Sequence, residues 1–400
     1  MPSAATHKSR KRQRRRIRET PPLPLDLVLE IAARSDPATL VRCAATCNDA
    51  RRRIADPSFH GSLRLRHAAG CFVPSLLHGH LVWDTVRDLF IVDNTKKHAT
   101  KLRPGGWARP KILAARDGLI LILTAGEKEH RPHVFSPATG QVHFVPHQRY
   151  DGQYVLLASD DDDVNRRIKA RSVSWNGNRR ILQFQTFSSD DGRWGRSVKV
   201  PIPYVHGGWF RLQPLVSNGA LHWLCRSDKL YYIVKLHVDS AQVTTTELPV
   251  RFHQEYGSAA AARKQLLLAT TPSAAGSSPR LCVFAADRDK ISVWAQSERD
   301  PSRWTRQPQM EIKHELISWF GWEDRLVRER MRTVRLEWFS DRSGFVLFDV
   351  PGEGCFMLDV RSKKIVRWSW RGQGHWDGSD VTCPYEMDVS SWVPSFTKTF

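Results

Sequence analysis

The chain has no long apolar run. Its longest uninterrupted aliphatic stretch, "LILIL" from Leu119 to Leu123, falls far short of the ~20 residues that a membrane-spanning helix needs. No apolar segment of the secretory type stands at the N-terminus, so export is not expected. Cysteine is sparse: seven in 400 residues, an odd number without framework spacing, which points to reduced thiols in the cytosol or nucleus. Catalytic motifs are missing as well. There is no G-x-S-x-G elbow, no G-x-x-x-x-G-K phosphate loop and no G-x-G-x-x-G after a strand. "HELIS" from His314 lacks the second histidine of a zinc helix. "DDDD", Asp160 to Asp163, lacks the alternating ligands and glycine turn of a calcium loop and reads as an exposed acidic turn. The sixteen histidines are dispersed, and nothing groups a nucleophile with a base and an orienting residue. The expectation is a non-catalytic protein without metal or cofactor.

Acidic residues are also short. Lysine and arginine outnumber them 61 to 41, a net charge of +20. Part of the excess is local: "KSRKRQRRRIR" holds Lys8, Arg10, Lys11, Arg12, Arg14, Arg15, Arg16 and Arg18. Such a run repels itself and cannot pack. Its mechanical uses are nuclear import, phosphate contact or simple solvation, and nuclear import is favoured here. The expected location is nucleus, cytoplasm or both. Direct nucleic-acid binding is not favoured, because aromatic and basic residues do not interleave into an RNA-binding signature.

What is present is enough for a core. The apolar share is 41%, with fifteen tryptophans, which excludes disorder throughout. Three regions follow: a disordered basic arm over 1–22, a helical block over 23–66 and a β-rich region over 67–400. In the block, Pro24 suits an opening helical turn, and Asp26 and Glu30 favour the positive end of the dipole. Leu27, Val28 and Ile31 then share a face at helical spacing. "SDP" starts a second helix, with Pro37 at its first position and Leu40, Val41 and Ala44 as its apolar face. A third helix is expected over Asp49 to Ile54, stopped by Asp56-Pro57. Cys43 and Cys47 sit four apart with no further ligand nearby and read as packed small residues. Helices this short bury little by themselves, so their apolar faces need a partner.

From about His80 the chain reads as short strands and turns. One unit is a glycine turn followed by a strand: "RDGLILIL" from Arg116, "SNGALHWL" from Ser217, "DRSGFVLFDV" from Asp341 and, more loosely, "WNGNRRILQF" from Trp175. A second is strand, turn, strand: "HVFSPATGQVHFV" from His133, "VKLHVDSAQVTTTEL" from Val234, "LCVFAADRDKISVW" from Leu281 and "CFMLDVRSKKIVRW" from Cys355. Turn and inner strand followed by an outer hairpin is the layout of a four-stranded blade. The fold class is therefore multidomain, α plus all-β: three short helices, then a β-propeller-like domain of about five or six irregular blades. The alternative is a β-sandwich-like array of hairpins. The ending "DVSSWVPSF", apolar at Val389, Trp392, Val393 and Phe396, is expected to complete the closure.

The helical block resembles an F-box. "LPLDLVLEIAAR" matches the Leu-Pro start of that family, "LVRCAATC" its second helix and "RRRIADPSF" its closing segment. Ala50 stands where the family commonly has Trp, and Ser35-Asp36-Pro37 where it often has Leu-Pro. Further stretches, "RLRHAAGCFVPSLLHGHLV" from Arg64 and "MDVSSWVPSFTKTF" from Met387, resemble the F-box proteins of grasses, in which the F-box precedes a β-rich domain of no assigned function. The resemblance implies docking on the Skp adaptor, and through it on the cullin and RING subunits of an SCF ubiquitin ligase. It implies adaptor contacts by Leu23, Pro24, Leu27, Val28, Ile31, Leu40, Val41, Cys43, Ala44, Cys47 and Ile54. The β-rich region would then hold a protein substrate that the sequence does not name; the alternatives are a nuclear nucleic-acid binder using the basic arm and an enzyme on the β-propeller.

Overall fold

A computed structural model of the protein describes residues 23–34, 37–56, 58–59, 77–83, 88–93, 99–102, 111–125, 130–137, 140–146, 153–158, 168–176, 180–205, 214–228, 230–256, 265–271, 279–287, 290–308, 310–311, 334–350, 354–368 and 381–387. Lys8 to Arg18, Asp160 to Asp163 and the ending from Val389 to Phe396 lie outside them.

Three helices come first: α1 (Leu25–Arg34), α2 (Pro37–Thr46) and α3 (Asn48–Ile54). The carbonyl of Pro24 accepts from the N–H groups of Leu27 and Val28 at 3.0 and 3.1 Å, which opens α1. Cys47 caps α3: its backbone is extended, and its sulfur accepts from the Ala50 N–H at 3.4 Å. Leu29, Ala32, Leu40, Ala44, Ala50 and Ile54 form the small core between the helices.

The rest is a six-bladed β-propeller. Blade 1 has β1 (Leu77–Trp83), β2 (Leu89–Asp93) and β3 (Ala99–Leu102). Blade 2 has β4 (Lys111–Arg116), β5 (Leu119–Ala125), β6 (His130–Phe135) and β7 (Val142–Phe144). Blade 3 has β8 (Gln153–Ala158), β9 (Ile168–Asn176) and β10 (Ile181–Ser188), with β11 (Arg193–Trp194) and β12 (Val198–Pro201) both paired to β10. Blade 4 has β13 (Leu215–Ser217), β14 (Ala220–Arg226), β15 (Tyr231–His237) and β16 (Val243–Glu247), followed by α4 (Val250–Tyr256). Blade 5 has β17 (Leu266–Thr271), β18 (Arg280–Asp287) and β19 (Lys290–Gln296), with β20 (Trp304–Arg306) and β21 (Met310–Glu311) both on β19. Blade 6 has β22 (Arg335–Ser340), β23 (Phe345–Val350), β24 (Gly354–Asp359) and β25 (Ile365–Trp368). β26 (Val381–Glu386) returns to blade 1 as its first strand.

First strands line the inside of the ring, where β26 meets β4, β4 meets β8, β13 meets β17, β17 meets β22 and β22 meets β26. Blades pack face to face, so their middle strands are covered on both sides. β14 and β23 are buried almost end to end. The outermost β7 and β16 are largely exposed. This is why the middle strands read as continuous apolar runs.

Two of the expected units change role. The strand after each glycine turn is the second of its blade. The inner strand is the one before the turn, as in β4–β5, β13–β14 and β22–β23. In the first two turns both central residues are left-handed: Asp117 at φ 49° with Gly118 at 77°, and Asn218 at 50° with Gly219 at 63°. That is the backbone a two-residue hairpin requires, and Gly or Asn supplies it with least strain. "WNGNRRILQF" joins β9 to β10 instead, and "LCVFAADRDKISVW" is the β18–β19 pair in the middle of blade 5.

The described part of the closure is made by the segment just before the expected ending, which itself lies outside the described residues. It is "VTCPYE", β26, that runs antiparallel to β1, with Leu77 opposite Glu386, His80 opposite Pro384 and Leu81 opposite Cys383. As first strand, β26 has a backbone partner on one side only, so Pro384 with its missing N–H is tolerated there. Gly79 is required in β1, because a Cβ there would collide with the backbone carbonyl of Val92 in β2. One apolar cluster joins blades 1 and 2 to β26 through Leu81, Ile91, Ile120, Ile122, Cys383 and Tyr385. Another joins blades 1 and 6 through Val82, Val92, Leu347, Met357 and Trp368.

Candidate functional site

Two places bring chemically distinctive side chains together. The first is α1. Leu27 and Ile31, four apart in the helix, are 50% and 55% exposed, and Leu23, two residues before it begins, is 61% exposed. Residues at this spacing stack along one side of a helix. Leu29 and Ala32 cover the opposite side and face the helical core. Pro24 is exposed beside Leu23, and Val28 is half-buried. Asp26 at the start of α1 pairs with Arg53 of α3, an exposed ion pair that aligns the two helices and adds little stability.

The remaining expected contact residues divide. Cys47 is exposed and Cys43 half-buried. Val41 lies in α2, but its side chain is outside the described part. Leu40, Ala44 and Ile54, expected to contact the adaptor, are almost wholly covered in this chain and belong to the helical core. The physical reason is size. Three helices this short enclose one small core, which Leu40, Ala44 and Ile54 help to fill from α2 and α3, while Leu27 and Ile31 of α1 stay exposed. Ala50 is buried as well.

The second place is the tip of β26. Glu386 reaches the turn between β22 and β23 in blade 6. Its Oε1 accepts from the N–H of Ser343 at 2.8 Å and from the Ser343 hydroxyl at 2.5 Å, and its Oε2 from the N–H of Arg342 at 3.3 Å. Its backbone carbonyl accepts from the Gly118 N–H at 2.8 Å, in the β4–β5 turn of blade 2. The Tyr385 hydroxyl donates to the Gly118 carbonyl at 3.2 Å. Arg116 bridges the same two blades, with Nη1 2.6 Å from Asp341 and Nε 3.4 Å from Asp117. Arg342 reaches Asp117 at 3.2 Å. Burial pushes the Glu386 carboxyl above the usual range, and the neighbouring Asp341 charge adds to this. Burial also acts against Asp341, but Arg116 and Arg342 outweigh it and hold that carboxyl low. The "RDG" and "DRSG" turns were legible as units; their meeting with Glu386 was not, because Arg116 and Asp341 are 225 residues apart.

Elsewhere, a cleft of about 280 Å³ separates blades 4 and 5, lined among others by Asn218, His222, Lys235, Thr244, Thr246 and Ser302. The Asn218 amide, also part of its lining, donates to the Pro279 carbonyl at 3.3 Å. Burial lowers His222 to about 4, so its ring is neutral at pH 7. The thiols of Cys225, Cys282 and Cys355 are pushed far up by burial and stay protonated, as packed small residues do. Among the described residues no group of three or more His, Cys, Asp or Glu side chains is placed to hold a metal ion. No helix among them is long and apolar enough to cross a membrane.

Comparison with known proteins places the β-rich region. Among solved structures, the chain is similar to a protein from Lactobacillus plantarum, at 11% identity and TM-score 0.38, over 77% of this chain and 96% of that one. It is similar to a chain of a nidogen/laminin complex at 10% identity and TM-score 0.37, over 72% and 92%. It is also similar to an oligogalacturonate lyase in complex with manganese at 6% identity and TM-score 0.35, over 70% of each chain. No curated protein matches. Residues 108–398 match the family described as Domain of unknown function (DUF7595). The match begins just before β4, so it takes in blades 2 to 6 and β26 but leaves out β1, β2 and β3, against which β26 closes. By that match the chain belongs to the DUF7595 family.

Proposed function

We propose that the chain is the substrate-receptor subunit of an SCF-type ubiquitin ligase. Its helices dock on the Skp adaptor and through it on the cullin and RING subunits, and its propeller holds a target protein for ubiquitination. It performs no chemistry itself. The basic run from Lys8 to Arg18 directs it to the nucleus. The observation that carries this reading is the stripe of Leu23, Leu27 and Ile31, which a soluble helix would otherwise cover. An apolar helix side laid into a partner's groove is a common mode of recognition. Each of these side chains is worth about 1.5–3 kcal/mol when fully buried.

The test is co-purification of the full chain with the Skp adaptor, comparing the parent with Leu23→Ala/Leu27→Ala. The double variant is expected to lose on the order of a hundredfold or more in affinity, while its circular dichroism stays that of the parent. Undiminished adaptor binding by a folded double variant would remove the proposal.

A further inference from the structure

Three carboxyl groups and two guanidinium groups meet where the ring closes. Asp117 and Arg116 come from the β4–β5 turn of blade 2, Asp341 and Arg342 from the β22–β23 turn of blade 6, and Glu386 from the tip of β26. Asp117 and Glu386 are each only 6% exposed. With every carboxyl ionised, three negative charges face two positive ones in a largely buried site. With one proton retained the cluster is neutral. Burying an uncompensated charge costs far more than keeping a proton.

The geometry also says where that proton sits. Both arginines are engaged by the aspartates: Arg116 by Asp341 at 2.6 Å and by Asp117 at 3.4 Å, and Arg342 by Asp117 at 3.2 Å. Glu386 is left with uncharged donors, the two backbone N–H groups and the hydroxyl of the blade 6 turn. Burial and the neighbouring Asp341 charge both favour its protonated form. From β1 it is faced by apolar Leu77. The nearest ring on that side, His78, packs edge-on against Tyr385 at 6.1 Å and is drawn to Asp93 of β2 rather than to the cluster.

We propose that the propeller is closed by a proton-held latch: Glu386 retains one proton beside Asp341, and loss of it loosens β26 from blades 2 and 6. This is independent of adaptor docking. The direction follows from linkage. In the unfolded chain Glu386 loses its proton in the ordinary carboxyl range. In the folded chain it keeps the proton above that range. Between the two, the folded state binds the extra proton, so stability is full at the acid end and falls as pH rises.

The experiment is urea unfolding of the full chain from about pH 5.5 to pH 9, parent against Glu386→Gln. The parent's folding equilibrium is expected to weaken by up to about tenfold per pH unit within the window, the effect of one proton. Glu386→Gln keeps a neutral side chain there and should lack that component, so that it is the more stable of the two at the alkaline end. An unchanged pH slope in a folded Glu386→Gln chain overturns the latch. If that variant does not fold, the infrared carbonyl band of a protonated carboxyl in the parent decides. A band that disappears as pH rises past neutral supports the latch, and its absence at pH 6 overturns it.

Discussion

The helical block and the propeller place the same kinds of side chain on opposite sides of the surface. In the propeller, Leu121, Leu221, Leu236 and Leu358 are fully covered by neighbouring strands. In the helical block, Leu23, Leu27 and Ile31 are half exposed or more, and three of the six core residues are alanines. The difference is one of supply. Each blade offers two faces and receives two in return, so its apolar residues find cover within the chain. Three helices of two or three turns enclose too little space to cover all of theirs. The propeller therefore has what it needs for its own stability once closed, and α1 has apolar surface left for another molecule.

Breaking the ring tests the first half of that contrast and should give the largest effect. The family match begins at 108, and a chain cut there keeps β26 but loses β1, the strand it pairs with. The apolar residues of both clusters at that seam would be uncovered, and two sheet edges would be open to other molecules. Residues 67–400 should unfold in one cooperative thermal transition as a monomer. Residues 108–400 should show no such transition and should associate on size-exclusion chromatography. Equal midpoints with both forms monomeric would mean that blade 1 is dispensable.

A smaller effect is expected from His80, at the centre of the same seam. Its ring lies 4.5 Å from that of Trp368, and both its nitrogens are buried without a hydrogen-bond partner. Burial lowers it to about 3, from an ordinary value of 6.5. Between these values the unfolded chain holds a proton that the folded chain does not, so stability is lost as pH falls through 6.5 toward 3. Across that window His80 contributes a loss of a few kcal/mol. His80→Leu should flatten the acid limb of a stability–pH curve. A limb as steep in the variant as in the parent would exclude His80 as its source. This limb and the alkaline fall expected from Glu386 have opposite signs, so they can be read from one titration.

How much of this could be read from residues alone depends on distance along the chain. Glycine turns and paired apolar runs are local, and they led to a ring of five or six blades; there are six. In blades 2, 4 and 6 the inner strand was misplaced by one, because strand patterns say which side is covered and not which neighbour covers it. "VTCPYE" was not read as a strand; its proline, which argues against a central strand, is tolerated because β26 lies at a sheet edge. "VRFHQEY" was not read as a helix, although Pro249 stands just before α4, a favourable place for proline. There Phe252 packs edge-on against both Tyr231 and Trp294, at 5.4 and 5.7 Å. In the helical block, periodicity found apolar faces but could not divide them between core and surface. Leu40, Ala44 and Ile54 went inward, while Leu23, Leu27 and Ile31 did not.

That division gives the finest test, within a single helix. Leu29 is 4% exposed and touches the core of α1, α2 and α3, whereas Ile31, two residues on, is 55% exposed. Leu29→Ala leaves a hole that so small a core cannot refill and should cost about 2–4 kcal/mol. Ile31→Ala trims a side chain that is more than half exposed, and alanine is the better helix former, so its effect should stay within about 0.5 kcal/mol. The measurement is hydrogen exchange of the α1 amides in the full chain, which reports local opening without requiring the propeller to unfold. Protection should collapse in Leu29→Ala and be unchanged in Ile31→Ala. Binding to the Skp adaptor should separate the pair the other way for a given amount of folded protein, since Ile31→Ala alone removes surface that the adaptor would cover. If Ile31→Ala exposes the amides as much as Leu29→Ala does, then both sides of α1 are structural. The surplus apolar surface on which the comparison of the two regions rests would then not exist.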